Sequence, residues 1–159
     1  MDVRSYISGF VDGEGCFCVS FVPSKRHRFG WEVRPSFSVS QNGDRAELLF
    51  EIQSLWRCGH IRPDRSDKTL KFEVRRISDL LATVIPHFRE FPLRSSKQND
   101  VKLFDSVCCL VGDQRHLDIE GLSKIVELAT RMNSSGKRKY SGSEILSSLR
   151  SGEGIVCAT

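Results

Sequence analysis

Ile7, Phe10 and Val11 recur at helical spacing, which predicts a short helix over Tyr6 to Val11, and the run Asp12-Gly13-Glu14-Gly15 then stops it with two glycines. From Cys16 the period falls to two. Phe17, Val19 and Phe21 alternate with Cys18, Ser20 and Val22, and after a loop Val33, Pro35, Phe37 and Val39 alternate with Arg34, Ser36, Ser38 and Ser40. That pattern predicts a hairpin with one buried and one largely polar face. Pro35 puts its strand at an edge or a bulge, because proline has no N–H to give to the ladder.

Asn42-Gly43 reads as a turn, and Asp44 to Glu47 is close to a capping box opening a helix that carries Leu48, Leu49, Ile52, Leu55 and Trp56. A second hairpin follows, over Gly59 to Asp64 and Thr69 to Arg76, with Leu70, Phe72 and Val74 inward and Lys71, Glu73 and Arg75 outward. Ser78 can cap a helix that Pro86 kinks or ends, Ser95 or Ser96 can cap another running to about Val111, and a last amphipathic helix spans Ile119 to Met132. Residues 1–133 thus form one domain, and residues 134–159 a basic, flexible segment in which a mobile linker, Ser134 to Gly142, precedes a short helix at Glu144 to Leu149. The order helix, hairpin, helix, hairpin, helices lacks the βαβ alternation of a parallel sheet, so the expected class is α+β. Two adjacent hairpins give a four-stranded antiparallel sheet with helices on one face and the other free for a ligand.

At 159 residues the chain suffices for one ordinary domain, and its 39% hydrophobic and 28% charged residues are those of a globular protein. No apolar run approaches the roughly 20 residues of a membrane span, and the first twenty residues lack a basic start followed by an apolar stretch. Neither a membrane partner nor a secretory signal is expected, and the chain should stay in the compartment where it is made, a bacterial cytoplasm or an organelle. The six cysteines include no C-x-x-C pair, which argues against structural zinc and predicts reduced core thiols. A net charge of +4, with basic residues clustered at Lys25 to Arg28, Arg62 to Arg76 and Lys137 to Lys139, suits a polyanion partner.

Placed on the predicted sheet, Ser20, Ser24, Glu32, Arg34, Ser36 and Ser38 of the first hairpin share a polar face with His60, Arg62, Lys71, Glu73 and Arg75 of the second. Asp64 and the loop residues Lys25, Arg26 and Arg28 border it. A two-stranded ribbon fits the DNA major groove, where arginine meets guanine edges and small hydroxyls reach bases or waters; an ordinary solvated sheet face has the same pattern. The first helix adds a second signal. Gly9 and Gly13 lie on one helical face and, with Ser8, leave little side-chain volume there, so a second copy of the helix can approach closely. Two such helices would bring two Glu14 carboxylates together, and crowded carboxylates without a basic partner favour a divalent cation, Mg2+ or Mn2+ with oxygen ligands. Asp12 and Glu14 also have a plain reading as turn residues.

The segment Ile7-Ser8-Gly9-Phe10-Val11-Asp12-Gly13-Glu14-Gly15 resembles the nine-residue LAGLIDADG motif, with an acid at the eighth position. Phe37 to Gln41, Pro92 to Gln98 and His116 to Asn133 also resemble segments of the LAGLIDADG homing endonucleases. The resemblance implies an αββαββα domain whose saddle-shaped sheet straddles double-stranded DNA. Motif helices would form the interface, here Ile7, Ser8, Gly9, Val11, Asp12 and Gly13. With one motif and no repeat, the chain is expected to act as a homodimer on a near-palindromic target. The resemblance further implies that Glu14, with Gly13, binds metal, that Gln41 positions waters, that Arg45 lies near the scissile phosphate, and that Lys97 is the active-site lysine, with Ser95 or Ser96 as alternatives in the local register. Mg2+ would support cleavage leaving short 3′ overhangs, Mn2+ would substitute, Ca2+ would support binding alone, and no small-molecule cofactor is needed. An RNA-splicing maturase and a cleavage-inactive DNA-binding regulator are the competing readings of the same surface.

Overall fold

A computed structural model describes residues 2–150, and residues 151–159, with Cys157 and the end of the predicted C-terminal segment, lie outside it. Helix α1 spans Val3–Glu14, longer at both ends than its apolar spacing predicts. Its start is fixed by Asp2, whose carboxylate accepts from the amides of Arg4 and Ser5, satisfying donors that a helix leaves unpaired. Gly13 does not stop it; Gly15 does. A Cβ on Gly15 would lie 2.7 Å from the Val11 carbonyl oxygen, so only glycine lets the chain leave the helix and enter a strand so abruptly.

Strands β1 (Gly15–Pro23) and β2 (Trp31–Asn42) form the first hairpin, and β3 (His60–Pro63) with β4 (Thr69–Val74) the second. All four build one antiparallel sheet in the order β1-β2-β4-β3. Pro35 sits opposite Val19 of β1, beyond the last β2–β4 pair at Phe37 and Val74, where β2 has a neighbour on one side only. The central strand therefore carries its proline in its edge-like half.

Phe17, Val19, Phe37, Val39, Phe72 and Val74 face the helices and are all at most 1% exposed. Phe17 is the hub of that layer, with its ring centroid 5.1 Å from Phe37, 5.3 Å from Phe88 and 5.4 Å from Phe104. Helix α2 (Glu47–Trp56) adds Leu49, Ile52 and Trp56. Its start at Ala46 has no side-chain cap, so the predicted box at Asp44 does not form; Gly43–Arg45 is instead a 3-10 turn. Nor does Ser78 cap the next helix, which begins as α3 (Ile77–Asp79), widens into a π turn over Leu80–Val84 and continues as α4 (Ile85–Glu90) straight through Pro86. The wider turn accommodates a residue that lacks an N–H and would crowd the carbonyl four residues back.

Helix α5 (Lys97–Gly112) packs beneath β1 and β2, and helix α6 (Ile119–Thr130) packs against α5. Neither Ser95 nor Ser96 gives α5 a standard cap, although the Ser95 hydroxyl accepts from the Lys97 amide at 3.2 Å. The predicted mobile stretch after Asn133 is held to the body. Arg138 donates to the carbonyls of Val19 and Ala129, Tyr140 meets Trp31 edge-on at 5.0 Å, and helix α7 (Gly142–Arg150) buries Ile145 and Leu149. Among the described cysteines all are free thiols and Cys108 alone is buried; Cys16 and Cys109 are exposed, against the expectation of core thiols throughout. No helix among the described residues is long and apolar enough to cross a membrane.

Candidate active site and nucleic-acid interface

The C-terminal end of α1 places Glu14 at the surface, where its carboxylate is exposed and no ion pair among the described residues holds it. A helix end is an unfavourable place for an anion, since the last carbonyls carry the negative pole, and the last turn of α1 has no basic residue. The cation arrives from elsewhere. Lys97, at the start of α5, donates from Nζ to the carbonyls of Gly15 (2.9 Å) and Val11 (3.2 Å), which bracket the two acids. Of the three residues that the sequence leaves open for this position, Lys97 is the one whose side chain brings a positive charge to the end of α1. Ser95 is engaged with Asp12, and Ser96 lies exposed in the turn.

Asp12, expected at the interface, is half-buried against its own chain. Its carboxylate turns towards its own chain and accepts from the amides of Arg94 (3.1 Å) and Ser95 (3.0 Å) and from the Ser95 hydroxyl. Burial alone would raise its pKa, but those hydrogen bonds and the nearby Lys97 outweigh it and hold the carboxyl below the usual range. Ile7 and Val11 are fully buried and Ser8 is 4% exposed, donating to the Phe91 carbonyl at 2.6 Å, so these three predicted interface residues face the chain's own core. Positions 7, 8 and 11 share the helical stripe that packs on the sheet. The open face of α1 carries Tyr6, Gly9 and Gly13 instead; space is empty within 4 Å of a Cβ added at either glycine.

Gln41 follows Ser40 near the end of β2. Val39 pairs with Gly15, so Gln41 extends the strand two residues past that pair, beside the end of α1, and its Oε1 accepts from the Asn42 amide. Arg45 stands 68% exposed in the 3-10 turn with Asp44 at 3.8 Å. Among the described residues no three His, Cys, Asp or Glu side chains converge. The end of α1 thus offers the exposed Glu14 carboxylate and the Gly13 carbonyl in a helix's last turn, where carbonyls lack intrahelical donors. Both are oxygen donors, the ligand type that suits a hard divalent cation.

Strand register puts the predicted DNA-facing residues on one surface. Cys16, Ser38, Glu73 and His60 form a row across the whole sheet, Ser40, Lys71 and Arg62 a second across three strands, and Ser20 lies opposite Arg34. The ionic arrangement was not foreseen. Glu73 is buried, and its carboxylate gathers Arg75 (3.2 Å) and Arg62 (3.5 Å) with the His60 ring at 3.7 Å, so two guanidinium groups and an imidazole of the outer face surround one central acid and Glu73 itself is covered. Glu32 pairs with Arg34 at 2.8 Å, which lowers its pKa, and Asp64 pairs with Lys71 at 3.6 Å while accepting from Ser66. Ser36 and Ser38 are half-buried between these pairs, and Ser24 contacts the His27 ring at 2.9 Å. Lys25, Arg26 and Arg28 stand exposed at the tip of the first hairpin, Arg28 over the Phe29 ring.

A family model described as LAGLIDADG endonuclease matches residues 7–108. The chain is 32% identical over 130 residues to a probable intron-encoded endonuclease 2 of Neurospora crassa, covering 81% of this chain and 29% of that protein. It is 26% identical to the DNA endonuclease I-CeuI of Chlamydomonas moewusii, covering 81% of this chain and 62% of that one. The chain therefore spans less than two thirds of the length of these curated relatives. A crystal structure of the homing endonuclease I-TnaI superposes with a TM-score of 0.81 at 29% identity, covering 94% of this chain and 97% of that one. I-SmaMI bound to uncleaved DNA in the presence of calcium ions superposes with a TM-score of 0.83 at 26% identity, covering 94% of this chain and 49% of that one.

Proposed function

Because the chain belongs to the LAGLIDADG endonuclease family, we propose that it is a site-specific homing endonuclease, two copies of which bind a long, near-palindromic duplex inside the cell and hydrolyse one phosphodiester in each strand, leaving short 3′ overhangs. The observation that carries the reading is the end of α1, where an exposed Glu14 lies beside a Lys97 ammonium fixed on the Gly15 and Val11 carbonyls. A chain that covers nearly all of one homing endonuclease and half of another DNA-bound one fits a unit used in pairs.

Glu14 of each copy, with the Gly13 carbonyl, would hold the divalent cation, for which Mg2+ is the proposed physiological ion and Mn2+ a substitute. When bound, that ion supplies Lewis-acid stabilisation of the phosphate and a water ionised near neutral pH. The chain's own groups do the rest. Lys97 presents a positive charge at the phosphate and offsets the negative charge that grows in the transition state. Gln41 orients water at the strand end, Arg45 reaches towards the phosphate from its exposed turn, and no side chain serves as a covalent nucleophile. The sheet's outer face lies in the major groove with its cations arranged by Glu73, while Lys25, Arg26 and Arg28 meet phosphates at the hairpin tip.

The test is cleavage of a DNA library carrying candidate insertion sites, with Mg2+ and with Ca2+, by the wild type and by Glu14→Gln. The expected result is Mg2+-dependent double-strand breaks that Glu14→Gln reduces by about 10²-fold or more, with Ca2+-supported binding retained. Tight binding without cleavage by the wild type would assign the chain as a regulator, and RNA binding without a DNA preference would assign it as a maturase.

A further inference from the structure

We propose that Asp12 is a positioning residue for Lys97, anchoring the turn that opens α5 and so setting the ammonium against the end of α1. This rests on the reading of Glu14 and Lys97 as parts of one active site.

Residues 91–96 belong to no helix or strand, and the amides of Arg94 and Ser95 need acceptors that regular structure does not provide. Asp12 supplies both and also accepts from the Ser95 hydroxyl. The same Ser95 oxygen accepts from the Lys97 amide at 3.2 Å, so an unbroken line of hydrogen bonds runs from the Asp12 carboxylate to the backbone that carries the lysine. Lys97 then closes the loop from its other end, through Nζ, on the carbonyls immediately before Asp12 and immediately after Glu14. A four-carbon stem with a mobile point charge gains a defined address only if its root is fixed. Asp12 fixes the root, and the two carbonyls fix the tip. The two acids of the motif therefore divide the work, Glu14 facing outward and Asp12 holding the root of the lysine that docks on the carbonyls at the end of α1.

The test uses the full chain as Asp12→Ala, Asp12→Asn, Lys97→Met and Asp12→Ala/Lys97→Met. One readout is single-turnover cleavage of a duplex recovered from the library above; the other is the rate at which acetic anhydride acetylates Lys97, read by mass spectrometry against Lys71. Asp12→Ala is expected to lower the cleavage rate about 10- to 100-fold with Ca2+-supported binding unchanged. It should have no further effect in the Lys97→Met background, and it should raise acetylation of Lys97 selectively. Asp12→Asn keeps an acceptor for the two amides and is expected to recover most of both properties. Multiplicative losses in the double variant, unchanged labelling of Lys97, or a rise shared with Lys71 would each overturn the proposal. Should the wild type cleave no DNA, the nuclease reading falls, while the labelling of Lys97 still decides what Asp12 does.

Discussion

Single side chains set the electrostatics of both surfaces, and most of them do so through partners far away in sequence. Glu73 illustrates the limit of reading a strand by alternation. Its parity correctly puts it on the outer face, but its burial comes from His60 and Arg62 on the neighbouring strand and from Arg75, a grouping that only the register reveals. Asp12 is illegible for a similar reason, because its three donors lie 82 and 83 residues on. Glu14 differs, since its place in the nine-residue motif is local and its exposure needs no distant partner. His87 adds a group that no pattern signalled. Packed against Trp56 and Phe88 and 3.2 Å from the Ser8 hydroxyl, it has its pKa pushed by burial, with help from Arg4, from 6.5 to about 4. The unfolded chain therefore binds a proton between those values that the folded chain refuses. Stability is fully present above pH 6.5 and is lost as pH falls towards 4, by up to roughly 3 kcal/mol. Urea unfolding of the wild type and His87→Phe across pH 4 to 7 should show the steeper acid loss in the wild type; equal slopes would remove His87 as the cause.

Among the elements, α1 has two faces with separate duties. The stripe of Ile7, Ser8 and Val11 seals the core, and the open stripe of Tyr6, Gly9 and Gly13 is the surface available to a second copy. Gly9→Leu should leave the single chain folded, since a Cβ there meets nothing within 4 Å and glycine is a poor helix former by about 1 kcal/mol. Association should weaken by on the order of 2–6 kcal/mol across the two copies, as overpacking at a close helix contact does. Sedimentation of the variant as monomer, with an unchanged circular dichroism spectrum, is the expected outcome, and an unshifted dimer would move the interface off this face. Period changes make α1, both hairpins and the later helices readable in the sequence, because each follows from local burial. Helix ends are not. Asp2 and Asp118 cap helices, whereas Asp44 and Ser78 do not, because a cap depends on the direction from which the chain arrives. The π turn ahead of Pro86 is equally hidden: the sequence shows a proline but not the neighbouring core that keeps the helix going.

For the molecule as a whole, charge is distributed so that position and recognition are separable. Cations on the sheet are tied to Glu32, Asp64 and Glu73, while Lys25, Arg26 and Arg28 extend into solvent. Replacing those three with alanine should weaken DNA binding by a similar factor for all sequences and reduce the slope of log K against log salt by about 3, measured in Ca2+ by fluorescence anisotropy. A change confined to one base position would instead make them readers of sequence. The segment after Asn133 braces the same hairpin from behind, through Arg138 on the β1 edge, Tyr140 on Trp31, and Ser148, whose hydroxyl accepts from the Trp31 indole at 2.9 Å. Basic composition alone makes this stretch look like a tail.

Because β4 ends opposite Phe37, the residues of β2 from Trp31 to Ser36 run on with β1 as their single neighbour. At roughly 3.4 Å per residue that overhang is about 20 Å long, close to the rise of six base pairs at about 3.4 Å each. On the reading proposed above, a ribbon of this length, braced at its back by Tyr140 and Ser148, would be a ruler. It would set how far from the cut the basic tip of Lys25, Arg26 and Arg28 meets the duplex. Lengthening both strands by two residues would carry the tip about two base pairs outward, so evolution can extend the reach of such a reader in increments while the chemistry at its root stays where it is.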